Sequence, residues 1–335
     1  MAVTKKDIAD YLGISRTAVS LALNSSPKCT LSKETQEKIF QAAKKLGYMH
    51  ASPATSSKKI CCAFFFNTDN HVAKKLNGIL ISEVDHFISQ FGYNTVYISV
   101  PNKESAINRF FEYIESGEAE GLIILNLIDK SIHERISQCG VPFVVFSEMD
   151  DECANSITPD SHYAAKEMVK KMIAQNHKRI AFFSPSMNYP QQKHFLSGYR
   201  DALEEAGIPF DPALVQVSSV QDGGEIAERM DLLGIKYTAA LCANTHIQFG
   251  ALNWLQSRGI KVPEQVSLLG YGMSDFASLS VPKLSVCDIV QRNFVDEGMK
   301  LLMEGIEKGR LEFPCKTIKT LEFCPGQTIG RCNES

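Results

Sequence analysis

From residue 60 onward the chain repeats one pattern: a short apolar run, a helix-length stretch, then another apolar run. The runs are CCAFFF (61–66), NTVYI (94–98), GLIIL (121–125), FVVF (143–146), RIAFFS (179–184), ALVQV (213–217), AALCA (239–243) and VSLLGY (266–271). They are continuous rather than alternating and rich in Val, Ile, Leu and Phe, which is how strands covered on both faces read. Helical segments at 75–90, 104–116, 161–175, 191–206, 223–233 and 246–258 lie between them. Alternation of this kind predicts doubly wound parallel sheets. Eight strands fit two lobes of four better than one sheet, and a ligand would sit beyond the carboxyl ends of the strands.

The first sixty residues read differently. Residues 4–12 (TKKDIADYL) are expected to form a helix capped by Thr4, with Asp7 at its third position and Gly13 at its end. Ser15 caps a second helix, RTAVSLALN, in which Val19, Ala22 and Leu23 point one way and Arg16, Thr17, Ser20 and Leu21 the other. Two short helices joined by Gly-Ile-Ser predict a helix-turn-helix. A third helix starts at Ser32, carries Ile39, Ala42, Ala43 and Leu46 on one face, and stops at Gly47. Composition matters at this point. Residues 1–59 hold nine Lys and one Arg against two Asp and two Glu, a net +6, so within an overall charge of −3 the remainder carries −9. A basic block ahead of an acidic body is an electrostatic footprint for an anionic partner. Ser15 offers a hydroxyl and backbone N–H groups at a helix start, suited to a phosphate. Arg16 and Thr17 lie in the first turn, where side chains reach base edges; Ser20 is placed for phosphate and Leu21 for a thymine methyl.

Other chemistries find little support. Ten cysteines are scattered with no Cys-x-x-Cys pair, and Cys61, Cys62 and Cys242 lie in apolar runs, which favours buried reduced thiols over metal sites. No Gly-rich phosphate loop and no G-x-S-x-G elbow occur. His177, in NHKRI, is read as packing a helix end before a strand. No catalytic set emerges, so the chain is not expected to be an enzyme, and neither cofactor nor metal is expected. Runs such as 60–66 are too short to span a bilayer. Lys5, Lys6, Asp7 and Asp10 stand where a secretion signal would need an apolar stretch. A cytoplasmic protein with no membrane partner is expected.

VTKKDIADYLGISRTAVSLALN, followed by LSKETQEKIFQAAKKLGY, closely resembles the DNA-binding headpiece of the LacI/GalR family of bacterial transcription regulators. The resemblance continues through GYNTVYI, EGLIIL, GVPFVVF, NHKRIAFFS, SGYRDALEEAGI, ALCANTHIQFGALNWLQSRGIKVPEQVSLLGYG and VPKLSV, in family order. It implies an all-α helix-turn-helix headpiece (1–48), a hinge (49–59) and an α/β two-lobed body (60–335) like type I periplasmic sugar-binding proteins. Lobe 1 would span about 60–157 and 288–317, and lobe 2 about 159–285 and 319–330, with crossings near 157–160, 285–289 and 317–320. The implied DNA-binding residues are Thr4, Ser15, Arg16, Thr17, Ser20, Leu21, Asn24 and Ser32. The implied function is a transcription regulator, of repressor type, that binds a pseudopalindromic double-stranded DNA operator as a homodimer and responds to a small molecule held between the lobes.

Two regions depart from the family pattern. In the hinge only Ala54 keeps it: His50, Ala51, Thr55 and Ser57 replace the usual Pro, Asn, Arg and the Leu that wedges into the minor groove, so weaker operator bending is expected. In the cleft, Phe195 replaces an Arg, Gly272 and Thr245 replace Asp, Ser147 replaces an acid and Asn77 an aromatic, while Asn244, Asp160 and Tyr271 remain. Asn77, Ser147, Asp160, Phe195, Asn244, Thr245 and Tyr271 are the candidate effector residues. Arg and Asp grip sugar hydroxyls and carboxylates through charge-assisted hydrogen bonds; their joint absence argues against an ordinary sugar. Two readings stay open: a less polar small molecule, or no small-molecule effector with control by a partner protein. A solute-binding protein shares the body fold, but the basic headpiece argues against it.

Overall fold

In a computed structural model that describes residues 3–23, 31–46, 58–66, 71–127, 129–147, 153–218, 222–272, 277–288, 291–319 and 321–332, the first helix begins with a reciprocal cap. Asp7 N donates to Thr4 Oγ1, and Thr4 N donates to Asp7 Oδ2 at 2.7 Å. These bonds satisfy two of the donors that every helix start leaves open and hold the Asp7 carboxyl below its ordinary pKa. Helix α1 (Lys5–Leu12) ends at Gly13, whose φ of 66° is the left-handed conformation that glycine adopts without steric cost. Helices α2 (Arg16–Leu23) and α3 (Lys33–Lys45) complete a small core of Ile8, Ala9, Val19, Ala22, Ile39, Ala42 and Ala43. The chain divides into two units, Met1–Lys58 and Lys59–Ser335. Asn24 and hinge residues 49–57 lie outside the described residues.

The second unit holds two six-stranded sheets. The first contains β1 (Lys59–Phe66), β2 (Asn94–Pro101), β3 (Gly121–Leu125), β4 (Phe143–Phe146), β5 (Ser156–Pro159) and β11 (Lys316–Ile318), in the order β11-β5-β4-β3-β1-β2. The second contains β6 (Ile180–Ser184), β7 (Val215–Val217), β8 (Ala239–Cys242), β9 (Ser267–Tyr271), β10 (Ser285–Asp288) and β12 (Glu322–Cys324), in the order β12-β10-β9-β8-β6-β7. All pairings are parallel except β10 with β12. Each sheet order reverses direction at its first strand, β1 or β6, the arrangement of doubly wound folds. The sheets therefore have six strands each rather than four. The four extra strands are three or four residues long and too short or too polar to stand out as apolar runs.

β1 shows why helices cover both faces. Its interior is fully buried, with Ile60, Cys62 and Phe64 in one core cluster and Cys61, Ala63 and Phe65 in another. The first cluster is covered by α4 (His71–Gln90) and α11 (Gln291–Lys308), the second by α5 (Glu104–Glu115) and α6 (Lys130–Ser137). On the second sheet, α7 (Ser161–Ala174) and α8 (Pro190–Glu205) cover one face, and α9 (Gly223–Leu232) and α10 (Thr245–Ser257) the other. Burial pushes the Cys61 and Cys287 thiols up to about 12, and raises those of Cys62 and Cys242 further. These cysteines act as small hydrophobes. The chain leaves the first sheet after β5, returns after β10, and crosses again after β11. Among the described residues no helix is long and apolar enough to cross a membrane.

His177 is a buried junction in the second sheet's unit. Its Nδ1 lies 3.0 Å from Thr238 Oγ1, and its Nε2 lies 3.1 Å from Ser267 Oγ and 3.0 Å from the Gly330 carbonyl. Alongside, Thr328 Oγ1 donates to Leu268 O of β9 and accepts from Ser285 N of β10, and Gly330 N donates to Ser267 Oγ, so the imidazole helps fasten the last segment to the sheet. Burial lowers the His177 pKa, with the Gly330 carbonyl acting in the opposite sense. The folded chain thus binds this proton less readily than the unfolded chain, whose histidines titrate near about 6.5. The His177 contribution is complete above that pH and is lost as pH falls from there toward the lower folded pKa. Urea melts from pH 8 to 5 should show this loss. His177→Leu should remove that part of the slope and cost about 1–3 kcal/mol, because buried polar partners lose their bonds; an unchanged slope would disprove the assignment.

Candidate nucleic-acid interface and inter-sheet cleft

The helix-turn-helix presents a polar face because its apolar residues are spent inward. On α2, Val19 and Ala22 are buried while Arg16 and Thr17 are exposed and Ser20 and Leu21 half-buried. At 3.6 residues per turn, Arg16, Thr17, Ser20 and Leu21 occupy one arc opposite the buried pair. The Ser15 hydroxyl oxygen accepts from Ala18 N at 3.1 Å, which fixes the start of α2. The hydroxyl hydrogen is not used by that bond and can donate outward. Ser32 plays the same part for α3, accepting from Thr35 N at 3.2 Å and meeting Thr35 Oγ1 at 2.8 Å. The Thr4 hydroxyl instead donates to Asp7 Oδ2 at 2.7 Å, so in this conformation it serves the cap. Lys5, not among the expected residues, places Nζ 3.4 Å from Ser20 Oγ. Fifteen residues separate the two, so no local sequence signal marks the contact. Lys59, at the start of β1, pairs with Glu118 at 2.7 Å within the body.

In the body, the candidate effector positions lie near the carboxyl ends of the strands. The crossings leave from the carboxyl ends of β5, β10 and β11, so these ends of the two sheets carry the connections between them. Several candidate polar groups there are committed to local structure. Asp160, between β5 and α7, accepts from Tyr163 N at 2.8 Å through Oδ1, and its Oδ2 lies 3.7 Å from Lys319 Nζ on another crossing. Asn244 Oδ1 caps α10 by accepting from Ile247 N at 2.8 Å. Thr245 is buried in the first turn of the same helix. Ser147, half-buried just after β4, donates its backbone N–H to Ile157 O at 3.3 Å.

The aromatic candidates behave as core. Phe195 on α8 is 1 % exposed, and its ring meets Tyr271 edge to face with centroids 4.8 Å apart. Both belong to the cluster that packs α7 and α8 onto the second sheet. Position 195, an effector candidate by the resemblance, is thus part of a hydrophobic core. The side chain of Asn77, on α4, lies outside the described residues. Gln192, in the first turn of α8, was not anticipated: it is buried and its Oε1 has no hydrogen-bond partner among the described residues. No group of three or more His, Cys, Asp or Glu among the described residues is arranged to hold a metal ion.

Comparisons with known proteins agree with this division. Residues 4–50 match the profile of bacterial regulatory proteins of the lacI family, and residues 169–329 match the periplasmic binding protein-like domain. The probable HTH-type transcriptional repressor ExuR of Bacillus subtilis is 26 % identical over 295 residues, covering 84 % of this chain and 85 % of the relative. The HTH-type transcriptional regulator AscG of Escherichia coli K12 is 25 % identical over 324 residues, covering 93 % and 94 %. Among solved structures, the lac repressor dimer bound to operator and the anti-inducer ONPF has the same fold, with a TM-score of 0.73 at 20 % identity over 98 % of this chain and 99 % of that one. The transcriptional regulator CelR in complex with cellobiose gives 0.71 at 21 % identity over 97 % and 99 %. A headpiece that matches the lacI profile, a body that matches the periplasmic-binding-protein-like profile over residues 169–329 and full-length relatives that are transcription regulators rather than enzymes give this chain a lacI-family helix-turn-helix domain followed by a periplasmic-binding-protein-like domain.

Proposed function

We propose that the chain is a repressor that binds a pseudopalindromic operator as a homodimer, with α2 in the major groove and residues 1–48 as the reading module. The observation that carries this is the exposed arc of α2. Arg16, Thr17, Ser20 and Leu21 face outward on a helix whose opposite side closes the headpiece core. Ser15 and Ser32 supply hydroxyl donors at two helix starts, suited to phosphate oxygens. Thr4 joins them on exchanging its Asp7 bond, and Asn24 belongs to the same contact set. One recognition helix spans only a few base pairs, so two related by a dyad are needed for a selective site. Hinge residues 49–59 lack an apolar wedge and bend the operator only weakly.

The body, with lobe 1 at about 60–157 and 288–317 and lobe 2 at about 159–285 and 319–330, holds a small molecule at the strand carboxyl ends. The ligand is less polar than a sugar gripped by Arg and Asp, because Phe195 is sealed into the core and Asp160 and Asn244 already cap helices. Ser147, Asn77, Thr245 and the remaining valences of Asp160 and Asn244 border the site. Control by a partner protein without a small molecule is the alternative, favoured by the same commitment of polar groups.

Arg16→Ala should lower operator affinity by about 1–3 kcal/mol and relax preference at one base pair of each half-site. Fluorescence anisotropy against a panel of single-base-pair variants measures both, and an unchanged preference would mean that α2 is not the reader. Thermal-shift screening of the full chain against sugars, nucleosides and their phosphates tests the effector, since a ligand that binds only the folded state raises Tm. A shift with a phosphorylated sugar alone would overturn the less-polar reading, and no shift with any class favours the partner-protein alternative. Restoring the family's residue with Phe195→Arg should destabilise the body by about 3–5 kcal/mol in urea melts, because the guanidinium would be buried without a partner. Unaltered stability would show instead that this position opens to the cleft.

A further inference from the structure

Gln192 combines deep burial with an unsatisfied acceptor. It stands in the first turn of α8, is 7 % exposed, and its Oε1 meets no donor among the described residues. The Nε2 end of the same amide lies 3.4 Å from Gln191 Oε1, so the nitrogen has a partner and the oxygen has none. Because α8 follows β6, its N-terminus lies at the carboxyl end of the second sheet. Residues three apart share a helix face, and Phe195, three residues on, meets Tyr271, the last residue of β9. Gln192 therefore sits about 4.5 Å further out along the axis, the rise of three residues, beyond the strand ends. Helical side chains lean toward the helix N-terminus, which aims this one away from the core.

The surroundings narrow what can answer that oxygen. A carbonyl stripped of water costs free energy unless a donor meets it, so buried acceptors left open are few in folded chains. The Tyr189 side chain makes no cap bond at the start of α8, and Pro190 brings no N–H. The N–H groups of Gln192 and Lys193 turn back to the Tyr189 carbonyl at 3.2 and 3.4 Å, which leaves the Gln191 N–H as the donor of this turn without a partner among the described residues. The turn thus presents one acceptor and one donor, both neutral. A buried neutral carbonyl cannot balance a cation, so the group it takes is itself neutral. A carboxamide or lactam edge, with N–H and C=O on neighbouring atoms, answers both groups at once.

We propose, on the reading that the body holds a small molecule at the strand carboxyl ends, that Gln192 is a specificity-determining contact for that molecule and that the molecule carries a carboxamide or lactam edge. The ligand N–H donates to Gln192 Oε1, and its C=O accepts from the Gln191 N–H, where the positive end of the α8 dipole favours a carbonyl oxygen. Without ligand the orphan oxygen weakens the fold. A polar side chain that opposes stability in this way is the pattern of a binding site, where function and stability compete.

Two measurements on the full chain test this. Gln192→Met keeps the length of the side chain and removes the amide. Melts without ligand should show Tm raised by about 1–3 °C, because an unsatisfied buried carbonyl has gone. An unchanged or lower Tm would mean that the oxygen is already satisfied in solution, by an ordered water, and would overturn the proposal. Ligand-observed NMR gives the second readout with matched probes: benzamide and δ-valerolactam, their fully N-methylated counterparts, benzyl alcohol and glucose. In the parent chain an amide probe should bind about tenfold tighter than its N-methylated counterpart, the loss of one hydrogen bond, and Gln192→Met should erase that difference. Equal binding of the N-methylated probes, amide probes that stay silent while another class binds, or a preference that survives Gln192→Met would overturn the role of Gln192 and leave a small-molecule site standing. Binding by no probe, together with no Tm shift from sugars, nucleosides or their phosphates, would instead remove the small-molecule reading itself.

Discussion

The architecture depends on strands that must be covered on both faces. A parallel strand such as β1 buries alternate side chains on opposite sides of its sheet, so each sheet needs a helical layer on either face. Helices reach both faces only if the chain winds out from β1 in both directions, and the strand order of each sheet does this, with β1 and β6 next to the first and second strands that follow them. The loops at such a reversal diverge to opposite sides and leave room beyond the strand ends. The crossings occupy the carboxyl end of each sheet, which is why Asp160 can cap α7 and approach Lys319 on another crossing. The polar groups retained there hold connections together as well as face any ligand.

In the headpiece, the hydroxyl groups that start helices are also the groups proposed to bind phosphate. Ser15 and Ser32 each accept from a backbone N–H three residues on. A capping hydroxyl spends a lone pair and keeps its hydrogen, so one side chain can fix a helix and bind an anion. This economy suits a core as small as seven buried residues, in which no helix could be placed by burial alone. It also ties stability to function: removing a capping serine loosens the start of the helix and deletes a phosphate donor together, so a loss of affinity at these positions does not by itself measure a DNA contact. Arg16 carries no such double duty.

Of the eight apolar runs, β1, β3, β4, β6, β8 and β9 were legible because a buried parallel strand cannot tolerate interruption, whereas β2 and β7 are edge strands that are only partly buried. The four others, SITP, SVCD, KTI and EFC, are three or four residues long and pair near sheet edges where polar residues are accepted, so period and composition carry no signal for them. Helix α6, KSIHERIS, escaped for a related reason: only His133 and Ile136 are buried, too few to make a stripe. The face of α2 was readable from spacing, since Arg16, Thr17, Ser20 and Leu21 fall on the arc opposite Val19 and Ala22, which requires no tertiary knowledge. The cleft was not. Phe195 could be named as a substitution, yet whether it lines a cavity or fills a core depends on Tyr271, which is 76 residues further along the chain. The Lys5–Ser20 contact likewise joins two helices across a turn, and hydrophobic patterns say nothing of such polar pairings.

The charge division completes the physical picture. Residues 1–59 carry +6 and the remainder −9, so DNA attracts one part of the chain and repels the other. At physiological salt the screening length is about 8 Å, so each part responds to the phosphates only when close to them. An acidic body cannot lie along the duplex without losing energy, which leaves the basic headpiece as the favoured docking end. Non-specific affinity scales with the number of phosphates neutralised, and a body that contributes none keeps that background low. Selectivity is the ratio of specific to non-specific binding, so a body that repels the duplex raises the weight of the contacts the headpiece makes. The net −9 of the larger part of the chain therefore makes it a poor competitor of the headpiece for a polyanion.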